Sequence, residues 1–134
     1  MKLKKFKFKI VNSTNDIAIR LIKKTNNKFG IIVADKQKKG RGQHGNKWIS
    51  YKGNLFVSIF FSLDKINMSL KQLTKTNCFL IKKTLSQFCK KKIYIKPPND
   101  LLINKKKICG ILQETITKSN ANYFIVGVGI NLIK

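Results

Sequence analysis

Three glycines fall within six residues, Gly40-Arg41-Gly42-Gln43-His44-Gly45, and the apolar run that follows them is β-rich rather than helical. That juxtaposition constrains the fold more than any other feature of the chain. A G-x-G-x-x-G loop that cradles a dinucleotide must open into a helix, whose N-terminus carries the pyrophosphate, with an acid about 20 residues further on. Here the loop leads through Trp48 and Ile49 to Leu55-Phe56-Val57-Ser58-Ile59-Phe60-Phe61, and no βαβ unit precedes the nearest acid, Asp64. A protein-kinase phosphate loop does lie between strands, but it needs H-R-D and D-F-G downstream, and the sequence has neither.

Around the loop the chain reads as mixed strands with few helices. Phe6, Phe8 and Ile10 alternate with Lys, the period-2 pattern of a half-buried strand. Ser13-Thr14-Asn15-Asp16 supplies N-cap chemistry, with Asp16 three residues after Ser13 in a variant of the capping box. Ile17, Ala18, Leu21 and Ile22 continue at helical spacing to about Lys24, where Asn26-Asn27-Lys28 breaks the pattern. Ile31-Ile32-Val33-Ala34 reads as a buried strand, residues 36–48 as a polar loop and residues 54–62 as a strand. A long helix is predicted over residues 69–90, with Leu70, Leu73, Leu80, Ile81, Leu85 and Phe88 as its buried stripe. Ile93-Tyr94-Ile95 is a short strand that Pro97-Pro98 must end, since proline cannot donate to a ladder. Leu101-Leu102-Ile103, a turn at Asn104-Lys105-Lys106 and residues 108–117 resemble a hairpin, and residues 123–132 give a final strand containing Gly127 and Gly129. This order predicts an α+β fold, a mixed β-sheet with helices, rather than regular βαβ winding.

A length of 134 residues with 43% apolar content suits one domain and excludes a tandem array. The charge of +24, from 29 Lys+Arg against 5 Asp+Glu, ordinarily points to nucleic acid or a membrane surface. Its make-up weakens that inference. All but two of the basic residues are Lys, and Lys, Ile and Asn together fill 59 of the 134 positions, a bias of A/T-rich codons that supplies charge without a partner. Lysines from Lys2 to Lys9 interrupt the N-terminus, so there is no signal-peptide core, and the longest apolar stretch, residues 55–63, contains two Ser and is too short to span a bilayer. Cys78, Cys89 and Cys109 form no C-x-x-C pair, and with a single His no zinc set is complete; buried thiols in a reducing cytoplasm are the expectation.

The loop nonetheless carries chemistry. Its glycines let backbone N–H groups approach an anion, and Arg41 offers a planar donor fork suited to a fixed carboxylate or phosphate, against the alternative of an ordinary turn with a solvated Arg. Lys96-Pro97-Pro98-Asn99-Asp100 places Asn99 and Asp100 on a stiff strand end, or is simply a turn with an Asx cap. Lys107 precedes Ile108-Cys109-Gly110-Ile111-Leu112-Gln113-Glu114, where Gly110 permits close approach within a strand and Glu114 is the only Glu in the chain. Val126-Gly127-Val128-Gly129-Ile130-Asn131 repeats the theme, with Asn131 as a bidentate amide.

In this order, Ser13-Thr14-Asn15, the loop Q-K-K-G-R-G-Q-H-G-N-K-W from Gln37 to Trp48, K-P-P-N-D from Lys96, K-I-C-G-I-L from Lys107, and Gly127 to Asn131 resemble the catalytic domain of biotin–protein ligases. The resemblance covers nearly the whole chain; lipoate ligases share the fold but carry a different Arg/Gly/His loop. It implies a class II synthetase-like α+β domain acting as a biotin–[acetyl-CoA-carboxylase] ligase. Biotin's carboxylate attacks the α-phosphate of Mg-ATP to give biotinyl-5′-AMP, and a lysine of a biotin carboxyl carrier domain then displaces AMP. Ser13, Thr14, Asn15 and Gln37 are implied to bind the biotin ring. Gly40, Arg41, Gly42 and Gln43 are implied to form the loop over biotin and adenylate, and Gly110 to line the floor. Arg41 and Lys107 are implied to act on the reacting carboxylate and phosphate. Trp48, Lys96, Asn99 and Asn131 are the implied ATP or adenylate contacts, and Asp100 an implied Mg²⁺ partner.

The sequence also departs from the family pattern. Gln43 stands where many members have Arg, which removes a cationic donor and implies weaker retention of the adenylate. Pro97 replaces the Trp of K-W-P-N-D. The chain stops three residues after Asn131, short of the family's C-terminal β-barrel, and shows no N-terminal helix-turn-helix, so it is expected to be one catalytic domain, residues 1–134, without specific DNA binding. The resemblance allows a homodimer through sheet edges. Two other readings compete: a biotin-binding remnant without ligase activity, and a basic nucleic-acid binder supported by charge alone.

Overall fold

The computed structural model describes residues 4–49 and 53–132; Lys2 lies outside them. They form one seven-stranded mixed sheet with a helix on each face. Strand β1 (Lys4–Val11) leads through helix α1 (Thr14–Lys24) to β2 (Phe29–Gln37). After the glycine loop come β3 (Leu55–Ser62), helix α2 (Leu70–Ser86), β4 (Tyr94–Lys96), β5 (Asp100–Ile103), β6 (Lys106–Lys118) and β7 (Ala121–Ile130). The strand order is β1-β2-β3-β7-β6-β5-β4. Every neighbouring pair is antiparallel except β1 with β2.

That exception corrects the sequence reading. A βαβ unit does precede the glycine loop: β1 and β2 run parallel, joined across α1. No α-helix opens inside the motif, which holds only a short 3-10 turn, Gln43–Gly45, so the exclusion of a dinucleotide fold stands on that point instead.

Local chemistry explains the elements. Ser13 caps α1, its hydroxyl accepting from the Asp16 N–H, and Ala18 and Ile22 are fully buried. Ser69 and Gln72 form a reciprocal capping box at the start of α2. The hairpins β5–β6 and β6–β7 turn at Asn104-Lys105 and Ser119-Asn120, all four residues at positive φ, as tight two-residue turns demand.

Side-chain alternation splits the core between the two faces. Ile32, Phe60, Tyr123 and Ile125 pack under α1 with Ala18 and Ile22. On the opposite face Ile111, Phe124, Val126 and Ile130 pack with Leu73 and Cys78 of α2, and the Phe61 and Phe124 rings meet at 5.8 Å. The predicted stripe of α2 is only partly right. Leu73 is buried and Ile81 and Leu85 are half-buried, but Leu70, Leu80 and Phe88 are exposed, and the helix ends at Ser86. The seated ridge includes a polar member, Asn77, whose amide donates to Gln113 Oε1 at 3.0 Å. In β1 the alternation holds for Phe6 and Phe8 but reverses at its end, where Ile10 is exposed and Val11 buried.

Cys78 and Cys109 are buried and Cys89 half-buried, and all three are free thiols. Burial pushes Cys109 up to about 12 and raises Cys78 as well, which favours the neutral thiol at both. No helix among the described residues is long and apolar enough to cross a membrane.

Candidate active site

The N-terminus of α1, the glycine loop and the glycines of β6 and β7 meet in a cleft of about 190 Å³. Ser13, Thr14, Asn15, Gln37, Arg41, Gly42, Gln43, Trp48, Asp100, Lys107 and Gly110 all line it, so most of the residues singled out from sequence converge here. Lys96, Asn99 and Asn131 do not. Lys96 is exposed at the end of β4. Asn99 is buried towards α2, its side-chain oxygen 3.8 Å from Cys78 Sγ and its carbonyl accepting from the Ile111 N–H at 3.0 Å. Asn131 reaches back to the Lys107 carbonyl at 3.4 Å. Gly40 is buried at the base of the loop, where its carbonyl accepts from the Trp48 N–H.

A buried polar network fixes the α1 end. The Thr14 N–H and hydroxyl both contact Gln37 Oε1, at 2.8 and 3.1 Å. Ser58 Oγ sits between Thr14 Oγ1 at 2.7 Å and Asn15 Oδ1 at 2.5 Å, and Asn15 Nδ2 donates to Glu114 Oε1 at 3.0 Å and to the Leu112 carbonyl at 3.4 Å. Ser58 is fully buried, and sequence reading missed it. Its signal was present, a hydroxyl inside the apolar run from Leu55 to Phe61, since a buried hydroxyl must find partners. Ser58→Ala should destabilise the protein by about 1–3 kcal/mol, because it leaves the Asn15 and Thr14 oxygens buried with a partner lost. Chemical denaturation measures this, and an unchanged midpoint would show the network to be dispensable.

The glycines of β7 and β6 make room for this network and for Trp48. A Cβ on Gly127 would collide with the Asn15 carboxamide, whose carbon lies 2.8 Å from that position. Cβ atoms on Gly110 or Gly129 would each come within 2.5 Å of the Trp48 indole. Trp48 therefore lies flat across two glycine backbones, with Lys107 Nζ 4.9 Å from its ring centroid, a cation–π distance.

Lys107 reaches the cleft by way of a β-bulge. The β5–β6 register shifts between Leu101 and Leu102, so Lys107 pairs with Leu102 and Cys109 with Leu101. The extra residue, Ile108, resets the alternation and turns Lys107 to the same cleft as Gly110. Its ammonium pairs with Asp100 Oδ1 at 3.0 Å. Asp100 is thus already engaged, and no cluster of three or more His, Cys, Asp or Glu is found among the described residues.

Arg41 does meet carboxylates, but they are the protein's own. It pairs with Asp16 at 2.8 Å and with Glu114 at 2.9 Å, so the Asp16 carboxylate of the predicted capping box faces Arg41. The loop closes on itself as well: the Gly42 N–H donates to the Asn46 carbonyl at 2.7 Å, Arg41 bridges Lys47, and His44 and Gly45 take positive φ at the tip. The Gly42 amide is therefore engaged within the loop instead of pointing to an anion.

The electrostatics follow from these contacts. Burial pushes the Glu114 carboxyl up, but hydrogen bonds from Arg41 and Asn15, together with the Arg41 charge, outweigh it and hold the carboxyl below its ordinary value. The Glu114 hydrogen bond is likewise the main cause that holds Arg41 more firmly cationic. A depressed carboxyl pKa contributes stability that is complete above the unfolded-state value and is lost as pH falls through the folded one. The melting temperature should therefore drop as pH falls below about 4, and Glu114→Gln should flatten that part of the profile; identical profiles would remove Glu114 as its source.

Residues 7–131 match the biotin/lipoate A/B protein ligase family. The chain belongs to this family. It is 31% identical over 126 residues to the bifunctional ligase/repressor BirA of Escherichia coli, covering 92% of this chain and 39% of that protein. Its fold superposes with a TM-score of 0.85 on the biotin acetyl coenzyme A carboxylase synthetase of Helicobacter pylori, solved with bound biotinylated ATP, at 25% identity and covering 99% of this chain and 63% of that one. The biotin protein ligase of Aquifex aeolicus in complex with biotin and ATP gives 0.79 at 30% identity, over 98% of this chain and 54% of that one. The chain spans less than half the length of the curated relative and just over half of the Aquifex structure.

Proposed function

We propose that this domain is the catalytic core of a biotin–protein ligase, acting in the cytoplasm on biotin, Mg-ATP and a biotin carboxyl carrier domain. The observation that carries this reading is one cleft in which the buried polar N-terminus of α1, the glycine loop, Trp48 and Lys107 all converge. The relatives and solved neighbours that bear biotin-ligase names support it.

The uncharged bicyclic ring of biotin suits the α1 end, where Ser13, Thr14, Asn15 and Gln37 offer donors and acceptors but no net cation. Its carboxylate then falls towards Lys107, and Trp48 supplies the flat apolar surface between. A carboxylate oxygen attacks the α-phosphorus of ATP, the bond to pyrophosphate breaks, and biotinyl-5′-AMP forms. Lys107 stabilises the negative charge that develops on the phosphate, and Asp100 holds the lysine until the ligand arrives. In the second step a carrier lysine amine attacks the acyl carbon, AMP departs with the bond electrons, and the amine loses a proton. Asp100, a carboxylate that lines the cleft, would be the residue to hold a Mg²⁺ accompanying ATP, and such an ion would offset phosphate charge there. Asn99, Asn131 and Lys96 are not among the residues that line the cleft.

Mass-spectrometric detection of biotinyl-5′-AMP after mixing the purified chain with biotin and Mg-ATP tests the reading. A folded protein that is stabilised by biotin yet forms no adenylate would favour the alternative, a biotin-binding remnant. A net charge of +24 should also steer an acidic carrier to the cleft. Raising salt should then slow transfer to the carrier while leaving adenylate formation nearly unchanged; equal salt sensitivity of both steps would remove the steering.

A further inference from the structure

Arg41 lines the cleft, but its guanidinium is fastened to the protein's own carboxylates. Its Nε and Nη2 donate to Asp16 Oδ1 at 3.1 and 2.8 Å, and its Nη1 and Nη2 donate to the two Glu114 oxygens at 2.9 Å each. Four of the five N–H donors of the guanidinium fork are engaged in these contacts. One positive charge faces two negative ones, so the guanidinium is already compensated by the protein's own carboxylates.

The three groups sit on different elements: Asp16 in the first turn of α1, Glu114 in the middle of β6, and Arg41 in the loop. Glu114 Oε1 also accepts from Asn15 Nδ2, so one carboxylate registers both the α1 N-terminus and the loop against β6. Strand β6 is itself paired without interruption to β7 from Cys109–Ile130 to Lys118–Ala121, which makes it a firm reference. From Arg41 the chain doubles back: Arg41 bridges Lys47, and the Trp48 N–H donates to the Gly40 carbonyl at 2.8 Å. Fixing Arg41 therefore fixes Trp48 over Gly110 and Gly129.

We infer that Asp16 and Glu114 are positioning residues that lock the 40–48 loop over the cleft through Arg41, and that Arg41 serves the reaction by holding this geometry and not by touching a ligand anion. The kinetic part of the test rests on the ligase reading; the structural part does not.

The experiment compares the parent with Glu114→Gln, Arg41→Gln, the double variant and Arg41→Lys. Glu114→Gln keeps the size of the side chain and an acceptor for Asn15, so it isolates the charge. Hydrogen exchange followed by mass spectrometry reads the loop amides, and biotin-dependent pyrophosphate exchange gives kcat and the two KM values. Both single variants should raise exchange across residues 38–48 by about tenfold or more, the loss of a charged hydrogen-bonded pair, with the β6–β7 amides unchanged. Both should lower kcat and raise the KM for biotin and ATP together, and the double should be no worse than the worse single. Arg41→Lys should not restore loop protection, since one ammonium cannot span both carboxylates. Unchanged loop exchange, with Arg41→Gln raising the ATP KM alone and Glu114→Gln lowering it, would overturn the inference. A parent protein that forms no adenylate defeats the ligase reading, while the exchange data still decide the lock.

Discussion

Lys107→Ala should lower biotin-dependent pyrophosphate release by about 10²–10³-fold, the scale of removing one pre-placed donor from a developing anion. The melting temperature should stay close to the parent's. The Lys107 side chain is 43% exposed and its Asp100 partner 31%, so their ion pair contributes little to folding. Two controls sharpen the comparison. Lys105, in the hairpin turn, is exposed and outside the cleft, so Lys105→Ala should leave the rate unchanged. Lys107→Arg should recover only part of it, because a planar fork does not replace a compact ammonium stacked near Trp48. An activity loss for Lys105→Ala equal to that for Lys107→Ala would reduce the effect to net charge. A full rate in Lys107→Ala would remove Lys107 from the chemistry.

Gly127→Ala is expected to damage fold and site together. The added methyl would meet an Asn15 carboxamide that cannot swing away, since Ser58, the Leu112 carbonyl and Glu114 hold it from three sides. Overpacking of this kind costs about 1–3 kcal/mol, and displaced Asn15 would strand buried partners on two strands. Denaturant titration should show that loss together with weakened biotin binding by calorimetry. Gly42→Ala is the matched control: a Cβ there meets nothing closer than 3.5 Å and the backbone φ is negative, so stability should barely move. Equal losses at the two positions would mean that the contact with Asn15 is not the cause.

How far sequence carried this picture depends on the range of the interactions involved. Ser13 as an N-cap, the hairpin at Asn104 and the strands around the glycine loop rest on local chemistry, and each lies where the local pattern put it. Asp16 was read as a capping partner because Ser13 is near in sequence, whereas its partner in space, Arg41, lies 25 residues on. Glu114 stood out only as the sole Glu of the chain, and nothing local pairs it with residues 73 and 99 positions away. Parallel pairing of β1 with β2 leaves no mark on either strand, so the βαβ unit was not legible. The stripe of α2 was drawn through Leu, Ile and Phe positions alone, but the sheet selected the row through Asn77, which a hydrogen bond to Gln113 accommodates. Asn99, implied by the resemblance to contact the adenylate, is buried, and its carbonyl accepts from the Ile111 N–H, a pairing that no local pattern announces. The bulge that turns Lys107 into the cleft depends on the register of a neighbouring strand and has no signature of its own.

The strand order has a consequence for assembly. Strands β1, β2 and β3 form one half of the sheet and β6, β5 and β4 the other, and β7 is the element that joins them. It is also the last of the described strands in chain order. Each half can pair internally as the chain emerges, but neither the cleft nor a continuous sheet exists until β7 slots between β3 and β6. Those two strands are separated in sequence by α2 and two further strands, so the closing step carries the long loop entropy of the fold. The glycines at 127 and 129 therefore sit on the keystone: the same ten residues that complete the architecture also open the space in which Asn15 and Trp48 lie.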